Sequence, residues 1–177
     1  MIKAIKHLHT INTHRRKVRR ICFKLGIYFQ GLVHDLSKYS WTEFHQSVKY
    51  YTDGKRSPTE TERQAEGYSS CWMHHRGRNK HHIEYWFDLD PVTHFYHPLK
   101  IPLKYLKEMF ADRVAASKVY KKKDYNDGCA LEYFLSHENT SKLMQEDSYN
   151  TMKEWLTLLK EKGEKEACKI IRKIKKY

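Results

Sequence analysis

No aspartate or glutamate precedes Asp35, although that stretch carries Lys3, Lys6, Arg15, Arg16, Lys17, Arg19, Arg20 and Lys24. With no acid nearby to neutralise them, these bases favour anionic partners: phosphates, nucleic acid or an acidic membrane. CxxC pairs are also missing. Cys22, Cys71, Cys129 and Cys168 stand singly, which excludes zinc-finger spacing, argues against a disulfide framework and fits a reduced, cytoplasmic setting. The opening MIKAIKHLHTINTHRR lacks an apolar core, so no signal peptide is expected. No apolar run approaches the length of a membrane span. Strand signals are nearly absent, and there is no internal repeat or low-complexity linker.

What remains is a chain of 177 residues with net charge +13 and 14% aromatic residues. That length suits one domain with a real core, and that aromatic content argues against disorder. The charge is patchy: Lys121–Lys123 and the tail KIIRKIKKY add two more basic clusters.

The periodicity predicts an all-α fold. Residues 2–25 read as one helix with Ile5, Leu8, Ile11, Val18, Ile21, Cys22 and Leu25 inward, stopped by Gly26. Short helices follow over 27–36 and 42–51. Ser57-Pro58-Thr59-Glu60 reads as a capping box with proline at the first helical position, opening a helix to about His75. Asn79 caps a further helix through His81 to Phe87, and residues 88–101 read as a loop with two prolines. Pro102 opens a long helix to about Tyr120 with Leu103, Leu106, Met109, Phe110, Val114 and Ala115 inward. Helices near 128–137, 141–162 and 165–175 complete the chain, with Gly163 between the last two.

The chemistry centres on His34-Asp35 in GLVHDLSKYS. Adjacent helical residues diverge by roughly 100°, so the pair flanks one edge and both can reach one cation there. Imidazole with carboxylate is a common donor mix for divalent transition metals. His14 lies twenty residues upstream, and Asp112 sits at the end of a mostly apolar stretch, where a carboxylate is costly unless paired or metal-bound. His74 and His81, and likewise His75 and His82, are seven apart. A continuous helix puts each pair on one face, whereas a turn at Gly77 folds the pairs together. Glu84 is placed to orient a ligand histidine or to act as a general base, and Lys38 to meet a substrate phosphate.

The order His14, His34-Asp35, Asp112, with the segments GLVHDLSK, MHHRGRNKHHIEYW and FADRVAASK, resembles the HD-domain metal-dependent phosphohydrolase superfamily. It is closest to a group of small uncharacterised HD-like proteins of bacteria and phage. The likeness covers residues 14–120. It implies one HD-like helical bundle over 1–177, with a C-terminal helical extension over 124–177. It also implies hydrolysis of a phosphate ester, monoester or diester, often of a nucleotide. His14, His34, Asp35 and Asp112 would take the core ligand roles, and His75 and His82, or His74 and His81, would hold a second metal. Mn, Fe, Co, Ni or Zn would serve, or Mg, one or two ions per chain. Ser37 stands where the superfamily has glycine. The glycine-tyrosine-proline element of cyclic dinucleotide hydrolases is missing after HHIEYW, which argues against that substrate. Two other readings compete: a basic helical nucleic-acid-binding protein, and a metal-stabilised structural protein without turnover.

Overall fold

The computed structural model describes residues 2–137 and 143–177. Within them the chain forms eight helices. They are α1 (Ile2–Lys24), α2 (Tyr28–Val33), α3 (Trp41–Lys49), α4 (Pro58–Glu66), α5 (Ser70–Arg76), α6 (Leu103–Lys121), α7 (Cys129–Ser136) and α8 (Glu146–Lys173). Tight 3-10 turns occupy Leu36–Tyr39, Ile83–Tyr85 and Lys122–Asp124. The one sheet among the described residues is an antiparallel hairpin of β1 (Phe87–Leu89) and β2 (Tyr96–Pro98), in register Phe87 to Pro98 and Leu89 to Tyr96. The all-α expectation holds. Among the described residues no helix is long and apolar enough to cross a membrane, and the four cysteines are buried thiols.

The core forms where α1 lies along α6, closed by α7 and α8. Val18, Ile21, Cys22 and Leu25 of α1 meet Leu106, Phe110 and Val114 of α6 and Trp155, Leu156 and Ile171 of α8. Phe110 sits edge-on to Trp155. Burial of this apolar set is the main force holding the four helices together. Gly163 has φ 73° and ψ 163°, a conformation that only glycine adopts readily, and it kinks α8 where the sequence placed a break. Residues 141–142 of the expected helix 141–162 lie outside the described residues, and α8 begins at Glu146 behind Gln145, whose side chain accepts from the Ser148 N–H.

Several boundaries differ from expectation, each for a local reason. Ile5 and Leu8 are exposed, and His7 is buried in their place against Phe44 and Tyr51, because α3 covers that side of α1. The helix expected to reach His75 stops at Glu66. Gly67 turns left-handed there (φ 79°), and the Ser69 hydroxyl starts α5 by accepting the Trp72 N–H. Ser57 caps α4 through its carbonyl, not its side chain, so the capping box does not form. Helix 79–87 shrinks to the turn Ile83–Tyr85. In the expected loop, Asp90 accepts from the Val92 and Thr93 N–H groups and makes the turn that lets β1 and β2 pair.

Candidate metal centre

Close packing positions the His34-Asp35 pair. Gly31 brings α2 against α1 so tightly that a Cβ there would fall 2.8 Å from the Cys22 Cβ. The helix ends at Val33, His34 turns out of it, and Asp35 takes the left-handed conformation (φ 53°, ψ 28°). Aspartate tolerates that region better than most residues, though it costs roughly 1–3 kcal/mol. The bend turns both side chains inward, leaving His34 1% and Asp35 2% exposed. Arg15 of α1 braces it. Its Nε donates to the His34 carbonyl at 2.7 Å, and its terminal nitrogens donate to the Leu32 carbonyl and the Tyr39 hydroxyl.

Two donor groups meet at Asp35. His14, His34, Asp35 and Asp112 each bring one donor atom within 4.8 Å of the others, and so do Asp35, His75, His81 and His82. The two carboxylate oxygens divide between them. Asp35 Oδ2 faces His34 Nε2 at 3.4 Å and His14 Nε2 at 3.8 Å, while Oδ1 faces His75 Nε2 at 3.3 Å and His81 Nε2 at 3.4 Å. On α6, Asp112 Oδ1 lies 2.9 Å from His14 Nε2 and 3.5 Å from His34 Nε2.

Carboxylates behind the imidazoles fix their ring orientation. Glu108 Oε1 lies 2.8 Å from His34 Nδ1 and 3.1 Å from His81 Nδ1. Glu43 of α3 lies 2.8 Å from His75 Nδ1 and 2.7 Å from His74 Nδ1. A carboxylate accepting one ring N–H leaves the other nitrogen as a lone-pair donor, the arrangement found behind metal-ligating histidines. Glu108 with His34 and His81 forms a third cation-sized group, but its oxygen already faces both Nδ1 atoms. The Asn79 amide donates to Ser37 Oγ at 2.8 Å and to the His75 carbonyl at 2.8 Å, tying the segment after α5 to the turn after Asp35.

The decisive feature is what lacks a partner. Nine buried side-chain atoms lack a hydrogen bond among the described residues: four are scattered over His7, His97 and Arg113, and the five that converge are His34 Nε2, His75 Nε2, His81 Nε2, His82 Nε2 and Asp35 Oδ1. Each such atom costs about 1–3 kcal/mol, and all five belong to the two donor groups. The residues therefore fit a cation: nitrogen and carboxylate donors, oriented from behind, with lone pairs directed inward.

The carboxylates draw positive charge into the site. Burial disfavours charge on His34, but Asp35, Asp112 and Glu108 outweigh it and raise its pKa to about 10. Burial pushes Asp35 upward, yet His34, Lys38 and His75 hold it well below the carboxylate range. Asp112 is likewise held well below, burial being outweighed by the nearby imidazoles of His14 and His34. His82 is driven well below its ordinary value by burial and by His81 and His75. Positive charge is thus drawn to the carboxylates and rejected at the far histidine.

Seven of the predicted residues come together: His14, His34, Asp35, His75, His81, His82 and Asp112. The pairs fold onto each other through the turn after Arg76 rather than along a continuous helix. His74 stays outside both groups, with its Nδ1 on Glu43. Glu84, on the turn Ile83–Tyr85, makes no hydrogen bond to any histidine among the described residues; Glu43 and Glu108, not read from the sequence, hold the orienting positions. Lys38 Nζ lies 3.3 Å from Asp35 Oδ2. Burial alone would lower its pKa, but Asp35, Asp112 and Glu43 outweigh it and keep the ammonium above its ordinary value.

A family model described as "Family of unknown function (DUF5662)" matches residues 3–173. No curated protein and no solved structure matches the chain.

Proposed function

We propose, for a chain that belongs to the DUF5662 family of unknown function, that it is a metal-dependent phosphohydrolase acting on a phosphate ester, of a nucleotide or a related small molecule. The observation that carries the reading is the set of unpartnered lone pairs around Asp35. His14, His34, Asp35 and Asp112 would hold one divalent cation, and Asp35, His75, His81 and His82 a second. Mixed imidazole and carboxylate donors suit Mn, Fe, Co, Ni or Zn better than the all-oxygen cages of calcium. Bound there, such cations supply Lewis acidity toward phosphate oxygens and a water of lowered pKa. The same layout underlies the likeness to the HD superfamily.

The chain's own residues do the rest. Glu43 and Glu108 fix the rings, and Arg15 fixes the bend that presents Asp35. His82 is partly exposed in one donor group; in the other, His14, Asp112 and the neighbouring Lys38 have side chains 14%, 19% and 30% exposed. Substrate would approach on that side, where Lys38 offers an ammonium to a phosphate oxygen. A cavity of about 680 Å³ runs along α1 and α6 and is lined by Lys6, Thr10, Lys17, Tyr51, Val119 and Lys122 among others. Thr10 and Lys17 stand one turn before and after His14, and Val119 two turns after Asp112, on the same helix faces. The volume falls within the roughly 300–1,000 Å³ of small-molecule sites. Lys17 and Lys122 have no ion-pair partner among the described residues, which leaves both ammonium groups for a substrate anion.

The test is a screen of phosphomonoesters and phosphodiesters with each metal, followed by Lys17→Ala/Lys122→Ala. The expected result is metal-dependent turnover, with KM raised several-fold in the double variant and kcat nearly unchanged, the pattern of lost ground-state binding. Turnover of no phosphate ester, with a melting temperature that falls on chelation, supports a structural metal instead. Salt-steep nucleic-acid binding that survives chelation supports the nucleic-acid reading.

A further inference from the structure

A second cavity lies on another side of α1, away from the groove. Its volume is about 220 Å³, and it is lined by Asn12, Arg15, Arg16 and Arg19 of α1, Gly31 and Leu32 of α2, and Tyr39. At about 100° per residue, positions 12, 15, 16 and 19 fall roughly 100–200° around the helix from His14. The α1 positions that line the groove, 5, 6, 9, 10, 13 and 17, fall roughly 40–180° the other way. The two cavities share no lining residue.

Three guanidinium groups line this space and no carboxylate does. Arg15 spends three of its five N–H donors on the Leu32 and His34 carbonyls and the Tyr39 hydroxyl. Asn12 accepts from the Tyr39 hydroxyl through its oxygen at 2.5 Å, and its amide N–H groups have no partner among the described residues. The side chains of Arg16 and Arg19 make no hydrogen bond and no ion pair among the described residues. Arg15 and Arg19, one turn apart, repel each other, and a bound anion would remove that cost. Planar guanidinium forks match the oxygens of phosphate-type anions bidentately. The volume lies below the roughly 300 Å³ at which small-molecule sites begin, which favours a compact oxyanion.

We propose that this cavity is a binding site for a phosphate-class oxyanion, separate from the metal centre. Arg15 joins it to that centre, because the guanidinium that would take up the anion also holds the carbonyl of His34. An occupied cavity would hold the bend at His34-Asp35 more firmly in place.

The probe is inorganic phosphate, titrated by calorimetry into the metal-loaded full chain, into Arg16→Ala/Arg19→Ala and into Asp35→Asn. Both arginines are exposed and alanine favours helix, so the double variant should fold; unchanged metal content and far-ultraviolet dichroism check this. Binding is expected to weaken at least about tenfold in the double variant, the loss carried by a charge-assisted hydrogen bond, and to persist in Asp35→Asn. Arg16→Lys/Arg19→Lys should bind with intermediate strength, keeping charge without the fork. The proposal is overturned if the double variant binds like the parent. It is equally overturned if Asp35→Asn loses the binding, which assigns the phosphate to the metal centre, or if only an oligonucleotide and not phosphate binds through these arginines.

Discussion

Asp35→Asn is expected to strip metal from both donor groups and to abolish phosphate-ester hydrolysis. Asparagine tolerates the left-handed conformation at this position, so the bend between α2 and the Leu36–Tyr39 turn survives. What is lost is the carboxylate whose two oxygens face the two groups, Oδ2 toward His34 and Oδ1 toward His75 and His81. Removing a partner that only orients a ligand costs about 10–100-fold in metal affinity, and removing a shared ligand should exceed that range. Metal content after dialysis, with dichroism to confirm the fold, reads the effect. A folded Asp35→Asn chain retaining full metal and full turnover would mean that the pair is a structural bend and nothing more.

Glu108→Gln is expected to weaken metal binding by about 10–100-fold while the chain stays folded. Glu108 lies behind His34 and His81 together, so its charge sets the orientation of one ring in each donor group. Glutamine keeps the size and loses the charge. The harsher Glu108→Ala leaves two buried imidazoles without their acceptor and should cost about 3–5 kcal/mol of stability, as breaking buried pairs does. Competition with a fluorescent chelator measures the first effect, and denaturant unfolding the second. His74→Ala is the matched control, since His74 contacts Glu43 but belongs to neither donor group. Equal effects from Glu108→Gln and His74→Ala would remove the distinction drawn between orienting and peripheral residues.

The helical fold could be read because its signals are long: α1 and α6 repeat their apolar positions over several turns. Leu106, Met109, Phe110, Val114 and Ala115 are all buried as the pattern requires, and only Leu103 stays half-exposed. The hairpin was not legible, since three-residue strands are too short to show alternation. Asp112 was legible as a carboxylate costly in an apolar stretch, His34-Asp35 as an adjacent donor pair, and His14 only through its spacing to that pair. The choice of His75 over His74 was not, because it depends on how α5 faces the site after the breaks at Gly67 and Ser69. Glu43 hides behind another role. It stands three residues after Ser40, whose hydroxyl accepts the Glu43 N–H, so a helix start accounts for it fully in the sequence. Glu108 did leave a trace: it lies four residues before Asp112, on the same face of α6, and two acids one turn apart in a mostly apolar stretch signal a cation.

The most direct test is anomalous diffraction at transition-metal edges from crystals of the full chain grown with Mn, Fe, Co, Ni or Zn. The account predicts peaks on both sides of Asp35, one against His14, His34 and Asp112, the other against His75, His81 and His82. No peak within reach of Asp35 with any of these metals, in crystals where His34 and His75 keep the positions described, would contradict it.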